Sequence, residues 1–254
     1  MASESSLRAW SLLVVLPALA LVGAVWVASS TWERVRTRPV ERTIEVTGSA
    51  KKRIISDLIE WNAEIATRDA DRTESYRALR RHTEAALTWL KTQGVADGDV
   101  RVSSVSTREI IDTEYVGVGE ERIARQVSRG WHAEQTISLR SSDMARVEKV
   151  SREITSLLEQ GVPITSYPPQ YFYTKLSEVK VDMLAEAAAD ARGRAENIVR
   201  SGGGTGIDTM ISADMGVINV NPANSTATSW DGNNDTTSLE KDIITIVHMS
   251  FTLK

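Results

Sequence analysis

The chain has 254 residues, and none of them is cysteine. The absence of cysteine excludes disulfide bonds, thiolate nucleophiles and cysteine-ligated zinc, although it leaves the redox compartment open. The chain also lacks an excess of positive charge, because 30 Lys and Arg residues stand against 34 Asp and Glu residues. Binding to a phosphate backbone requires a basic patch or stripe. We therefore expect no nucleic-acid partner.

Residues that could carry catalysis or hold a metal are scarce. The three histidines, His82, His132 and His248, fall on one predicted helix and two different predicted strands, without metal-ligand spacing. The G-x-S-x-G motif, which marks the nucleophile of many hydrolases, does not occur. We therefore predict no catalytic residues, no metal site and no cofactor, and we do not expect an enzyme.

One long uncharged stretch lies near the N-terminus, WSLLVVLPALALVGAVWVASSTW at residues 10–32. From Leu12 to Ala28 there is no charged residue, and a helix of that length spans ~26 Å, close to the ~30 Å hydrocarbon core of a bilayer. Trp10 and Trp32 lie at the two ends, where tryptophan prefers the membrane interface. The stretch predicts a transmembrane anchor, with the lipid bilayer as a partner.

A cleaved signal peptide is the competing interpretation of the same stretch. Ala28, Ser29 and Ser30 are small residues at plausible cleavage positions. Arg8 is the only basic residue before the stretch, and the apolar run is long, which favours an uncleaved anchor.

The charges beside the stretch predict its orientation. Four arginines follow it and only Arg8 precedes it; the four are Arg34, Arg36, Arg38 and Arg42. Positive charge is enriched on the cytoplasmic side of membrane spans. The arginines taken alone therefore predict that the rest of the chain lies in the cytoplasm.

The anchor divides the chain into a short tail at residues 1–9, the anchor itself, a linker at residues 33–42 and a domain at residues 43–254. Strands and amphipathic helices alternate along the domain, which predicts an α+β fold of antiparallel or mixed sheet packed with about three helices. The predicted helices lie at residues 71–94, 142–161 and 176–204, and Asp71 with Glu74 predicts an N-terminal cap of the first. A stripe of alanines along the third predicts that it packs closely onto a sheet.

The first two strands of the domain enclose a glycine- and lysine-rich segment. TIEVT and LIEWNAEIA alternate apolar and polar residues, and Gly48 to Asp57 between them is interpreted as a turn or an irregular hairpin entry. A phosphate-binding loop must be followed by the N-terminus of a helix, whereas a second strand follows here. Lys51 and Lys52 are therefore interpreted as solvated turn residues.

Further strands are predicted in the middle and at the end of the domain. They lie at residues 100–111, 130–140, 167–174, 207–220 and 242–254. Ser103 and Ser104 break the alternation of the first of these and predict a bulge. A polar hairpin region is predicted around YVGVGEER, residues 115–122, between the first two of these strands.

The polar segment at residues 221–241 exceeds the normal length of a hairpin connection, so it is either a flexible loop or a contact element. Within it, DGNND places Asp231, Asn233 and Asp235 at the first three ligand positions of a calcium loop. The pattern then fails, because Thr236 replaces the turn glycine and Asp242 replaces the bidentate glutamate. The other glycine-rich segment, SGGGTG, follows a helix and is interpreted as a C-terminal cap.

Several stretches, in their order along the chain, together resemble the SIMPL-domain family. They are TIEVTGSAKKRIISDLIEW, GVADGDVRV, the strand from Trp131 to Leu139, AAADARGRAENIV and VHMSFTL. The likeness spans about residues 41–254, and it is strongest to the variant with a polar run before Asp57 and Trp61 behind a membrane span. Ser56 stands where that family commonly has proline.

The resemblance implies an α+β domain that is usually extracytoplasmic in bacteria. Similar proteins assemble into large ring- or channel-like homo-oligomers and are linked to envelope and oxidative stress. The family supplies no accepted catalytic residues. It therefore implies an inner-membrane protein, spanning once, with its domain in the periplasm, which is opposite to the side that the arginines predict.

We accordingly expect a membrane-anchored, non-catalytic protein of the bacterial cell envelope whose domain forms a ring- or cage-like homo-oligomer. Aromatic residues are favoured at interfaces, so Tyr171, Phe172, Tyr173 and Trp230 are the predicted subunit contacts. A monomeric module that binds a ligand or an envelope partner is the alternative, and an enzyme is a further one.

Overall fold

The structure, a computed structural model, describes residues 21–33, 42–117 and 122–254. The N-terminal tail, Trp10 with the first part of the predicted anchor, and most of the predicted linker lie outside these residues. The predicted domain is described throughout, apart from residues 118–121.

Residues 21–33 form a helix, α1. Its apolar side chains are exposed, and Trp32 near its end is 71% exposed. Among the described residues, no helix is both long and apolar enough to cross a membrane. The anchor at residues 10–32, part of which lies outside the described residues, stays a prediction.

Outside α1, the described residues form two sheets and three α-helices, and every pairing between the strands is antiparallel. In chain order the elements are β1 (Thr43–Ile55), β2 (Leu58–Asp69), α2 (Arg72–Thr92), β3 (Val100–Val102), β4 (Ser106–Val116), β5 (Ile123–Ser141), α3 (Met144–Glu153), β6 (Ile164–Ser166), β7 (Gln170–Phe172), α4 (Leu176–Ser201), β8 (Ile207–Pro222) and β9 (Glu240–Leu253). The predicted α+β class and the three helices of the domain are confirmed. The division into two sheets was not predicted.

The three-stranded sheet has the order β1-β9-β8. β1 and β9 pair along their whole length, from Thr43 opposite Thr252 to Ile55 opposite Glu240. Helix α4 covers one face of this sheet with a buried stripe, namely Val179, Met183, Ala187, Ala191, Ala195 and Val199. Small side chains let the helix lie close to the strands, so the predicted packing of the alanine stripe is confirmed.

β1 continues through the segment that was interpreted as a turn. Residues Gly48 to Ile55 are strand, so the predicted turn is wrong for all but the last two residues, Ser56 and Asp57. Two tertiary contacts explain the difference: β9 supplies a strand partner for each residue, and Gly48 admits α4, since a Cβ atom there would lie 2.2 Å from the Ala187 carbonyl oxygen. Lys51 and Lys52 are accordingly strand residues.

The six-stranded sheet has the order β3-β5-β2-β6, with β4 also pairing with β5 and β7 with β2. The alternation predicted for β2 is confirmed, because Ile59, Trp61, Ala63 and Ile65 are all fully buried beneath α2 and α3. α2 begins at the predicted cap, Asp71, whose side chain accepts hydrogen bonds from the first turn. This sheet and its two helices enclose a second hydrophobic core.

The predicted bulge at Ser103 and Ser104 is a break between two strands. β3 ends before Ser103 and β4 begins after Val105. The Ser103 hydroxyl accepts a hydrogen bond from the Thr136 amide at 3.0 Å, so a side chain takes the place of a backbone partner in the ladder. The register shift of β4 lies further along, between Glu109 and Ile111.

The outer ends of β4 and β5 form a two-stranded ribbon, consisting of residues 111–116 and 123–129, which we call the arm. It extends past β2, whose pairing with β5 ends at Asp69 opposite Trp131. Most of its side chains are exposed on both faces of the ribbon. The predicted polar hairpin is therefore present as a projection from the sheet.

Candidate functional site

The polar loop at residues 221–241 packs where the two sheets meet. The amide of Ser56, just after β1, donates to the Leu239 carbonyl at 2.9 Å, and the amide of Tyr171 in β7 donates to the Thr236 carbonyl at 2.8 Å. The loop therefore bonds to a strand end of each sheet. Of the two possibilities left open by its sequence, the structure gives it a fixed path rather than a free one.

Lys241 is a buried cation at this junction, with only 2% of its surface exposed. Its Nζ atom donates to the carbonyl oxygen of Tyr171 at 2.7 Å and also to the carbonyl oxygen of Asp235. Burial lowers the pKa of Lys241, while the negative charge of Asp235 opposes that shift. Because a buried ammonium must be hydrogen-bonded, the lysine fastens β7 and the loop to β9.

Three predicted contact residues, Tyr171, Phe172 and Tyr173, lie at the same junction and border a cavity of about 120 Å³ next to Lys241. All three are half-buried. The Tyr171 hydroxyl donates to Glu148 Oε1 at 2.8 Å, and burial together with this hydrogen bond raises the pKa of Tyr171. Tyr171 packs against one core and Tyr173 against the other. Their contact with a second subunit stays a prediction.

Asp57 and Trp61, on which part of the family resemblance rests, hold the junction from the other side. Burial alone would raise the pKa of Asp57, but hydrogen bonds at 2.7 Å from the Thr174 hydroxyl and amide lower it. The Trp61 indole donates to Ser166 Oγ at 2.9 Å. Asp57 thus holds the segment between β7 and α4, and Trp61 holds the end of β6.

Asp242 is the centre of an ion network on β9, and its side chain is 1% exposed. It accepts hydrogen bonds from Arg53 Nε at 2.9 Å and the Asn224 amide at 2.7 Å, and it pairs with Lys51 Nζ at 3.0 Å. The Arg53 guanidinium, aided by these other donors, holds the pKa of Asp242 well below its usual range despite burial. The network ties β1, β9 and the loop together.

Two buried asparagines of β8 hold the part of the loop that carries Trp230. Asn219 Oδ1 accepts from the Ser229 amide at 3.0 Å, and its Nδ2 donates to the Ser229 carbonyl at 3.4 Å. Asn221 Nδ2 donates to the Ala227 carbonyl at 2.5 Å. The next residue after Ser229 is Trp230, which is 92% exposed. A rigid frame thus presents a large apolar ring to solvent.

A cleft of about 430 Å³ lies beside Trp230 on the face of the three-stranded sheet opposite α4. Its lining includes Thr47, Asp214, Met215, Trp230, Ile246 and His248. His248 Nδ1 lies 2.9 Å from Thr47 Oγ1, so these two side chains form a hydrogen-bonded pair in a cleft lined by both polar and apolar residues. Cavities of this size hold small ligands or side chains from a partner protein.

The three histidines lie in separate environments. His132 Nε2 contacts Glu134 Oε2 at 2.9 Å within the six-stranded sheet, and His248 lies on the other sheet. His82 is on α2, where burial and the charge of Arg81 lower its pKa. In the parts of the chain that the structure describes, no group of three or more His, Asp or Glu side chains is arranged to hold a metal ion.

The residues of the calcium-like pattern have structural contacts instead. Asp235 Oδ1 accepts hydrogen bonds from the amide and hydroxyl of Thr237, at 2.9 and 2.7 Å. Asn233 Nδ2 donates to Asn221 Oδ1 at 2.7 Å, while Asp242 binds Arg53. These side chains therefore point to different partners rather than to one ion.

The segment SGGGTG caps α4, as its sequence predicts. The Gly202 amide donates to the Ile198 carbonyl and the Gly204 amide to the Val199 carbonyl, both at 2.9 Å. Gly203 has a φ angle of 81°, which favours glycine.

The residues that build this region were not among the candidate residues predicted from the sequence. Asn219 was predicted only as part of a strand and Asn221 only as part of the polar segment, and Lys241 and Arg53 were not singled out. A signal was present in the alternation of Asn219 and Asn221 with the apolar core residues Ile218 and Val220 at the end of β8.

The comparisons with known proteins add one match. Residues 44–246 match the family model named SIMPL, which is described as a protein of unknown function (DUF541). No curated protein matches the chain.

Proposed function

The chain belongs to the SIMPL family, and from that premise we propose that it is a non-catalytic, membrane-anchored protein of the bacterial cell envelope that assembles into a large ring- or cage-like homo-oligomer. In this proposal residues 10–32 anchor the chain in the inner membrane and the domain lies in the periplasm. A role in envelope or oxidative stress belongs to the same proposal and rests on the family resemblance alone.

The arm is the observation that carries the proposal of assembly. Its apolar side chains are exposed to solvent: Ile111 is 52% exposed, Tyr115 62%, Val116 56% and Ile123 72%. An isolated two-stranded ribbon is only marginally stable in water, because neither face is packed. Contact with a second copy of the chain would bury these side chains and stabilise the ribbon.

Trp230 supports the same proposal independently. Leaving a tryptophan ring 92% exposed forgoes a large hydrophobic gain, and the asparagine frame holds it in that position. Buried aromatic anchors dominate the binding energy of many protein interfaces. A fixed and exposed tryptophan is what such an interface would use.

The proposed anchor rests on the uncharged run from Leu12 to Ala28 and on the exposed apolar side chains of α1. The periplasmic side rests on the family resemblance and stands against the arginines after the span. The proposed absence of catalysis is supported by the charged groups at the junction, where Lys241 and Asp242 are engaged by structural partners.

A second candidate function is a monomeric module that binds a small ligand in the cleft beside Trp230. The cleft volume of about 430 Å³ favours it, because it falls in the range of ligand pockets. This candidate predicts a stable monomer, whereas the leading proposal does not.

The test of the leading proposal compares two aspartate substitutions by sedimentation velocity of the full-length protein in detergent. Ile123→Asp on the arm and Val181→Asp on α4 both alter exposed apolar residues, 72% and 68% exposed. We expect Ile123→Asp to convert a large assembly into smaller species and Val181→Asp to leave it intact. An unchanged assembly with Ile123→Asp would remove the arm from the proposal, and a monomeric wild type would favour the ligand-binding module.

A further inference from the structure

β8 leaves half of its outer edge without a strand partner among the described residues. It is at the end of the three-stranded sheet, and β9 is the strand with which it pairs. The loop covers the second half of that edge, where the Val220 amide donates to the Asn233 carbonyl at 2.7 Å and the Asp235 amide to the Val220 carbonyl at 2.9 Å. Residues 208–215 are exposed throughout.

Residues 208–215 of this free edge contain no lysine or proline, although the pairing of β8 with β9 shifts register between Ile207 and Met210, between Met210 and Ser212 and between Met215 and Ile218. Long edge strands are commonly protected by lysines, prolines, bulges or short length. β1, the opposite edge, carries Lys51, Lys52 and Arg53, and its Ser49 amide is already bonded to Asp190 at 2.8 Å. β6 and β7 have three residues each.

The exposed residues of β8 are apolar and acidic. Met210, Ile211 and Met215 are 50%, 51% and 64% exposed. Asp208 and Asp214 are the charged residues of the strand, which contains no Lys or Arg. An incoming strand would therefore fit best if it carried apolar and basic side chains.

The arm supplies an edge with that composition. At residues 123–129, β5 pairs with β4 on one side and has no strand on the other within the described chain. This stretch, IARQVSR, contains Arg125 and Arg129 and no acidic residue. Its seven residues span ~23 Å in extended form, close to the ~26 Å of the eight exposed residues of β8.

We infer that the outer edge of β5 in the arm of one copy adds as a strand to the free edge of β8 in the next copy. The inference rests on the proposed function and specifies its interface. Backbone hydrogen bonds along the two edges would provide affinity, and the side chains would provide specificity.

Charge complementarity supports this partner over others. Arg129 is already paired with Asp112 and Glu114, at 3.1 and 2.5 Å. The side chains of Arg125 on the arm and Asp214 on β8, by contrast, make no hydrogen bond or ion pair among the described residues, although Arg125 stands opposite Glu114 and Asp214 opposite His248 in their ladders. Each would gain an opposite charge on assembly. Strand addition would also bring the apolar side chains of the arm beside Met215, at the rim of the cleft.

The two surfaces are different, so the contact is heterologous and each copy uses its arm on one neighbour and its β8 edge on the other. Repeated heterologous contacts produce a ring when the rotation closes and a filament when it does not. A closed ring would leave no β8 edge free, which accounts for the absence of lysine and proline from residues 208–215 of that edge.

The test uses cysteine cross-linking of the full-length protein in detergent, because the chain has no native cysteine. Ser128→Cys on the arm and Ser212→Cys on β8 are near-isosteric changes at exposed positions. We expect a short bis-maleimide to give a covalent dimer when the two variants are assembled together, with at least ten times less product from either variant alone. Ser156→Cys, also exposed but in the short 3-10 helix that follows α3, mixed with Ser212→Cys is the matched control and should give none.

Charge-reversal substitutions provide a second test of the same interface. Arg125→Glu alone and Asp214→Arg alone should each reduce the assembled fraction, and the double variant should restore it. Arg81→Glu on α2 should have no effect. A large assembly that gives no Ser128–Ser212 product overturns the strand-addition inference and leaves the proposed function standing. Equal product from Ser212→Cys alone overturns it in favour of β8–β8 pairing, whereas an unassembled wild type refutes the proposed function itself.

Discussion

At the scale of single residues, Gly48 controls how closely α4 approaches the three-stranded sheet. Its α-carbon lies against the helix backbone, where an added Cβ would be 2.2 Å from the Ala187 carbonyl oxygen and 2.5 Å from the Ala191 nitrogen. Both obstacles are backbone atoms and cannot rotate away. Gly48 on β1 and the alanine stripe on α4 therefore form the close contact between the strand and the helix together.

We predict that Gly48→Ala lowers the free energy of unfolding by at least ~2 kcal/mol, because overpacking forces the helix away from the strand. Chemical denaturation monitored by circular dichroism measures the change. Gly193→Ala on α4 is the matched control, since no atom lies within 4 Å of its added Cβ. It should be neutral or stabilise by up to ~1 kcal/mol. Equal effects of the two substitutions would contradict the close contact.

Asp242 is the residue whose charge matters most to the junction of the loop with the sheet. Its carboxylate is buried and accepts from Arg53, Lys51 and the Asn224 amide. The folded state therefore favours the ionised form, and the pKa of Asp242 is lower than in the unfolded chain. Its contribution to stability is present above the unfolded pKa and is lost as the pH falls towards the folded one.

We predict that Asp242→Asn destabilises the protein at neutral pH and that the difference from wild type shrinks between about pH 4 and pH 2. Protonation of Asp242 in the wild type removes the stabilisation by its negative charge, which the variant lacks at every pH. Urea denaturation across this pH range measures it. Asp182→Asn on α4 changes one exposed charge and should remain within ~0.5 kcal/mol of wild type at neutral pH. A constant difference at all pH values would show that the charge of Asp242 is not responsible.

At the scale of elements, the sequence predicts what depends on local pattern. The alternation in β2 and the cap of α2 at Asp71 are visible in single stretches, and the structure confirms both. The continuation of β1 past Gly48 is not visible, because it depends on β9 and α4, which are distant in the chain. The fixed path of the polar loop depends in the same way on Asn219 and Asn221 meeting backbone groups several residues away.

We predict that Asn219→Ala releases the loop without unfolding the domain. The Ser229 amide would lose its acceptor, so its hydrogen exchange should accelerate, and the free energy of unfolding should fall by about 1–3 kcal/mol. Exchange measured by NMR or mass spectrometry reports the first effect. Asn234→Ala, which removes an exposed side chain from the same loop, should change neither. Unchanged exchange at Ser229 in Asn219→Ala would show that other contacts hold the loop.

At the scale of the whole molecule, the two sheets, each with its own core, meet at the polar loop. Two surfaces without a partner among the described residues lie away from this junction, namely the arm and the free edge of β8. The sequence located the hairpin of the arm and the strand β8, but not that one projects and the other has a free edge. Those properties depend on the pairing partners of β5 and β8, which the alternation of residues does not specify. Lys241 and Asp57 hold the two sheets together at the junction, and the arm and the free edge of β8 stay exposed.

The central claim is that the domain builds a homo-oligomer, and mass photometry tests it most directly. The measurement compares the full-length protein in detergent with a protein that begins at Glu33, where the predicted linker starts. We predict one large, uniform assembly in both samples, because the arm and the β8 edge lie in the domain. Monomers in both samples would contradict the account.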